Sequence, residues 1–204
     1  ETPDDTKPEG LVTGEDGKLY FYKDGEMVKN RIVWLSVLML SATFTSMIIT
    51  SFEDALAVQA ALIAFIPMLM GTGGNSGAQA STAVIRSLSI GDTETGDVLS
   101  VIWKELRVAL LCGITLAAVN FVKMLLVDQM LMHNSAVTVT VSAVVSLAII
   151  FIVLFAKVVG STLPILAEKI GVDPAVMANP LISTITDAVS LIIYFEIAKA
   201  FLKI

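Results

Sequence analysis

Asn179-Pro180-Leu181-Ile182-Ser183-Thr184-Ile185-Thr186-Asp187-Ala188-Val189-Ser190-Leu191-Ile192-Ile193-Tyr194 opens the last apolar stretch of the chain. Asn179 as cap and Pro180 at the first helical position predict a helix start, because proline fixes the backbone angle and needs no amide partner there. Asn179, Ser183 and Asp187 then recur at i, i+4 and i+8 and share one helical face. Thr184, Ser190 and Tyr194 fall close to it, while Leu181, Ile182, Ile185, Leu191 and Ile192 cover the other faces. At ~1.5 Å per residue Asp187 lies roughly 12 Å into the helix. That is near the middle of an apolar layer about 30 Å thick.

The rest of the sequence supplies that layer. Of 204 residues 55% are hydrophobic and 16% charged, against about a quarter charged in soluble domains. The charges cluster and leave long apolar runs between them, which is a membrane pattern. A span needs about 20 apolar residues. Ile32 to Ser51 forms a first candidate, closed by Glu53 and Asp54, and a second runs from Ala55 to Met70. There Gly71-Thr72-Gly73-Gly74-Asn75-Ser76-Gly77 is expected to break the helix, with a weaker helical stretch from Ala78 to Leu88. A third span covers Val101 to Val127, with Asp128 to Ser135 as a loop. A fourth covers Ala136 to Ala156 and extends towards Leu166, and the fifth is the opening stretch. The expectation is an all-α membrane protein of five transmembrane helices, occupying residues 29–204 as one ion-conducting domain.

Residues 1–28 read as a polar tail or linker. Residues 1–30 carry a net charge of −4, and the strand-like Lys18-Leu19-Tyr20-Phe21-Tyr22 precedes a turn at Lys23-Asp24-Gly25-Glu26. The chain begins at Glu1 without Met or a signal peptide and is expected to be a piece of a longer protein. Arg31, the Arg86/Lys104/Arg107 cluster and Lys157/Lys169 fall on one side of a five-span arrangement, and Glu53, Asp54 and Asp128 on the other. By the positive-inside rule the N-terminus is cytoplasmic and the C-terminus outside, in the plasma (inner) membrane.

An ionisable group at the depth of Asp187 costs several kcal/mol unless it is solvated, paired or neutral. No basic residue is expected at matching depth, so a cation or proton pathway is favoured over a neutral Asp bonded across helices. Glu196, near the outer end of the same helix, is expected to pair with Lys199. The Gly71–Gly77 stretch reads as irregular backbone lining a pathway, or as an interfacial loop. Asn75 and Gln79 share a face there with Ser76. Asp173, before Pro174, caps a turn, with a cytoplasmic cation site as its second reading. His133 is a solvated loop residue, and Cys112 a small buried hydrophobe. No nucleophile or metal set accompanies Asp187 in one protomer, which argues against an enzyme. No basic patch suits nucleic acid. A purely structural anchor would lack the polar stripe.

These residues resemble a known family. Lys29-Asn30-Arg31-Ile32-Val33-Trp34-Leu35, Gly73-Gly74-Asn75-Ser76-Gly77-Ala78-Gln79, and Gly171-Val172-Asp173-Pro174 leading to Asn179 through Asp187 are similar to the MgtE magnesium transporters over about residues 29–204. The resemblance implies a homodimer of five-span protomers in the lipid bilayer, with an ion pore on the two-fold axis. It implies that the last helix lines this pore and that Asp187 receives hydrated Mg²⁺. Ser183 and Asn179 belong to the same path, with Thr184, Asn75, Gly74 and Asp173 lining or supporting it. Family members carry a cytoplasmic acidic domain and paired CBS domains that sense Mg²⁺; a chain without them is expected to lack that feedback. The alternative is a less selective or proton-coupled carrier of divalent cations such as Mn²⁺ and Co²⁺.

Overall fold

Within hydrocarbon, every backbone N–H and C=O must find its partner inside the protein, so long apolar runs fold as helices. The computed structural model describes the backbone of residues 11–13, 19–21, 24–172 and 174–202, with the side chains of residues 28, 32, 33, 35–172, 174 and 181–202. The chain forms two compact units, Glu1–Leu40 and Ser41–Ile204. The first holds an antiparallel hairpin, β1 (Leu11–Thr13) and β2 (Leu19–Phe21), in which Val12 pairs with Tyr20. The strand expected around Leu19–Phe21 is therefore present. Helix α1 (Asp24–Ser51) begins in this unit and runs into the second.

The second unit continues through α2 (Glu53–Val58), a 3₁₀ segment (Ala60–Phe65) and α3 (Ile66–Ser89). Next come α4 (Val98–Lys123), which prolongs itself as a π-helix (Met124–Leu131), then α5 (Val139–Lys169) and α6 (Pro174–Leu202). Among the described residues three helices are long and apolar enough to cross a membrane: Val98–Leu131, Val139–Lys169 and Leu181–Leu202.

Several boundaries differ from the sequence expectation, beginning with the turn expected at Lys23-Asp24-Gly25-Glu26 and the first span expected from Ile32, because α1 has already started at Asp24. The break lies at Gln59–Phe65, and α3 passes unbroken through Gly71–Gly77. Three hydroxyls of α3 serve the helix itself. Thr72, Thr82 and Ser89 hydroxyls donate to the carbonyls of Met68, Ala78 and Ile85, one turn back. The last helix starts at Pro174, five residues or so before the expected cap, so Asn179 is an interior position of α6 and not its cap. Pro174 takes the first helical position, where a missing N–H costs nothing. The segment Met124–Leu131, expected to become a loop at Asp128, stays helical with wider turns, and Met132 N–H reaches the Val127 carbonyl at 2.8 Å.

Helix α5 is the centre of the second unit. It packs along α3, α4 and α6, and α3 also packs on α6. The apolar window of α5 is 56% buried, against 22% for α4. Thr138 starts α5 by accepting the Val141 amide on its side chain at 3.2 Å. Gly171 ends it at φ 74°, with the Gly171 and Val172 amides returning to the carbonyls of Glu168 and Ala167.

The glycines of α3 act at these contacts. A Cβ on Gly73 would stand 2.7 Å from Ser190 Oγ and 3.1 Å from Ile152. One on Gly77 would stand 2.6 Å from Ile182 and 3.2 Å from the Ala156 carbonyl, and one on Gly160 would overlap the Gly77 carbonyl. Small residues a turn apart let helices close to backbone contact, the usual basis of helix association in membranes. The same contacts set direction: α3 runs parallel to α5 and antiparallel to α6.

Gly160→Ala should therefore lower the apparent stability of the purified chain by about 1–3 kcal/mol, the scale of overpacking. Gly71→Ala, where an added Cβ meets nothing within 4 Å, should be neutral. Thermal unfolding in detergent, followed by gel filtration, compares the two.

Candidate functional site

Asp187 sits on α6 between contacts that fix the helix. Ile182, Thr186 and Ser190 are buried, and the first two meet Gly77 while Thr186 and Ser190 meet Gly73. The Thr186 hydroxyl donates back to the Ile182 carbonyl at 2.7 Å and leaves no polar demand on α3. Thr184 Oγ1 lies 3.1 Å from Ser41 Oγ of α1. Towards the other end, the Tyr194 hydroxyl donates to the Leu62 carbonyl at 3.1 Å.

These anchors sort the polar stripe. Ser183 is exposed and Asp187 half-buried, one turn apart on the same face. That face continues into Leu191, Tyr194 and Ala198, all buried. The carboxylate thus stands where an open face closes. Ser190 and Tyr194, expected near the stripe, are inside the packing, and Thr184 turns to α1. The side chain of Asn179, and Asp173 altogether, lie outside the described residues.

Asn75 and Gly74 belong to a different surface. Asn75 lines a cavity of about 570 Å³ with Thr72, Ser76, Gln79, Thr115 and Lys157, which does not include Asp187. The expected face shared by Asn75, Ser76 and Gln79 is there, but it opens between α3 and α4 over α5. Gly74 is half-buried with open space beside it. Cys112 is half-buried and lines the same cavity, so it is not simply a core residue. His133 is an exposed loop residue.

Lys157, expected on the positive membrane side, is buried instead, and so is Glu105 at the start of α4. Lys157 Nζ lies 3.7 Å from Glu105 Oε2, with side chains 8% and 12% exposed. Asn120 on α4 likewise faces inward, donating to Ser146 Oγ at 3.0 Å. The signal was present in the sequence. Glu105, Ala109, Gly113 and Ala117 recur every fourth residue, so Glu105 heads the inward face of α4. Its neighbours Lys104 and Arg107 are exposed, and they disguise it as one of a surface cluster. Glu196 is exposed in an apolar cleft beside Phe151, Phe155 and Ile193. Lys199 does not serve as its local partner but lies over the Phe52 ring, 5.4 Å from its centre.

Residues 66–197 match the family model of MgtE, described as a divalent cation transporter. The chain belongs to the MgtE family. It is 38% identical over 173 residues to the magnesium transporter MgtE of Thermus thermophilus, which covers 85% of this chain and 36% of that protein. It is 35% identical to the Bacillus subtilis magnesium transporter MgtE and 30% to that of Enterococcus faecalis, over 84% and 85% of this chain and 36% of each relative. The chain thus spans about a third of the length of these curated relatives. MgtE is a family of transporters and not of enzymes, and its helices here are those of a multi-pass membrane protein.

Tyr194→Phe removes the buried bond that holds α6 of this MgtE chain to the 3₁₀ segment. It should cost about 1–3 kcal/mol by leaving the Leu62 carbonyl unpaired. Thermal unfolding of the variant beside the parent chain measures the loss.

Proposed function

We propose that this MgtE chain conducts Mg²⁺ through a pore lined by α6, with Asp187 receiving the hydrated ion. The carrying observation is a half-buried carboxylate on a spanning helix, at the point where its open face closes over Leu191, Tyr194 and Ala198. A charge in that position needs a cation, water or a partner. Among the described residues no group of three His, Cys, Asp or Glu side chains could hold a metal. The chemistry that suits so few carboxylates is that of Mg²⁺, which dehydrates reluctantly and is held through retained waters. Ser183, one turn away on the same face, supplies an oxygen for those waters.

The reading extends to assembly. Five spans per protomer, formed by α1, α3, α4, α5 and α6, place the N-terminus in the cytoplasm and the C-terminus outside. In a homodimer with its two-fold axis beside α6, two Asp187 carboxylates face one ion. Asn179 and Asp173 continue the path towards the cytoplasm. The names of the relatives support magnesium as the cargo, and the positive side of the helices supports the orientation.

Flux assays in vesicles holding the purified chain test this. Asp187→Asn should reduce Mg²⁺ uptake to background while the variant stays folded in gel filtration. Ser183→Ala, removing one acceptor for a bound water, should cost about 1 kcal/mol, roughly fivefold in ion occupancy. Normal uptake by Asp187→Asn would overturn the assignment. Uptake that needs a pH gradient would instead establish a proton-coupled carrier, and uptake that Mn²⁺ and Co²⁺ share equally a less selective one.

A further inference from the structure

The groove between α3 and α4 sets the oxygen-bearing side chains of Thr72, Asn75, Ser76, Gln79 and Thr115 among Leu111, Cys112 and Leu116. Thr72 and Thr115 commit their hydroxyl protons to the Met68 and Leu111 carbonyls, at 2.8 Å each. Their oxygens can therefore only accept from the groove side. Asn75 and Gln79 add amide oxygens one turn apart, and Ser76 a hydroxyl. Five oxygen-bearing side chains on the wall of a cavity of about 570 Å³ offer a cation hard ligands. The cation present is Lys157. Its residue is only 6% exposed, yet it is part of the groove wall. Its counter-charge, Glu105, stands behind it and is not part of that wall. At 3.7 Å the pair is longer than a hydrogen bond of about 2.7–3.2 Å, so Glu105 does not use up the ammonium's N–H donors.

We propose that Lys157 is a tethered cation: from the wall of a groove that carries Thr72, Asn75, Ser76, Gln79 and Thr115 and is backed by the Glu105 carboxylate, its ammonium stands in for a free metal ion and so keeps divalent cations out of that groove. Buried charges within a membrane protein pair with one another or mark a pathway. Here the pairing closes what would otherwise be a second acidic site. Shortening Lys157 leaves an uncompensated carboxylate beside neutral oxygens, and such a charge recruits a counter-ion. Removing both charges together restores neutrality. The inference does not depend on Asp187, which is absent from the groove wall.

Two measurements on the purified chain test it. The first counts Mn²⁺ bound per chain by electron paramagnetic resonance. Lys157→Met should bind one more equivalent than the parent, and Lys157→Arg no more than the parent. Glu105→Gln combined with Lys157→Met should lose the added ion. A folded Lys157→Met with no added Mn²⁺ overturns the proposal, as does an added ion that survives Glu105→Gln. The second uses the parent chain, whose single cysteine, Cys112, lines the groove. Anionic sulfonatoethyl methanethiosulfonate should modify Cys112 several-fold faster than the cationic trimethylammonium reagent, each rate taken relative to free mercaptoethanol. Equal relative rates, or a preference for the cationic reagent, would show that no positive charge governs the groove and would overturn the proposal even if Lys157→Met fails to fold.

Discussion

The contact between Gly77 and Gly160 brings α3 and α5 together at backbone distance, and the placement of α6 follows from it. With no side chain between them, the two helices leave a shallow seam that Ile182, Thr186 and Ser190 of α6 fill. Successive residues of a helix turn by about 100°. Once Thr186 is fixed against Gly73 and Gly77, Asp187 has to look away from both. The orientation of the carboxylate is thus decided by glycines on another helix.

Polar groups in this molecule are satisfied by two different means. Hydroxyls on α3, α4 and α5 return their protons to their own helices, as Thr72, Thr115 and Thr162 do, and cost the packing little. Larger groups reach across: Asn120 to Ser146, Tyr194 to Leu62, Lys157 to Glu105. These cross-links tie α4 to α5 and α6 to the 3₁₀ segment before α3. Among the described residues, open polar groups include the Ser183/Asp187 face of α6 and the groove beside Asn75, two separate surfaces. One presents a carboxylate and the other an ammonium.

The helical class and the family were legible because they rest on period and local motif. Asp187 stood out as a charge in an apolar run, a signal that needs no tertiary information. Gly71–Gly77 misled because glycine is read as a helix breaker by its propensity, about 1 kcal/mol worse than alanine. Its value here lies in the neighbour it admits, and no neighbour is visible in a sequence. Asn179-Pro180 misled in the reverse way: the pair has the form of a helix start, but Asp173-Pro174 offers the same form earlier and the helix takes the first opportunity. The Glu105–Lys157 pair joins residues on different helices, so neither local charge sum nor side of membrane could reveal it. Asn75 shows the limit of motif reading, since a motif marks which residues belong together but not which helix they face.

The ends of α3 and α5 bear on how a cation meets this protein. The two helices run the same way, so both C-termini emerge at one end of the bundle, where the aligned peptide dipoles are negative. Both are also closed in the same manner. The amides of Gly91 and Asp92 return to Leu88 and Ser87, and those of Gly171 and Val172 to Glu168 and Ala167. Those terminal carbonyls have spent an acceptor position on the chain itself. α4 and α6 begin at this same end, so their positive N-termini offset the field, and the closed carbonyls offer an arriving cation little to bind.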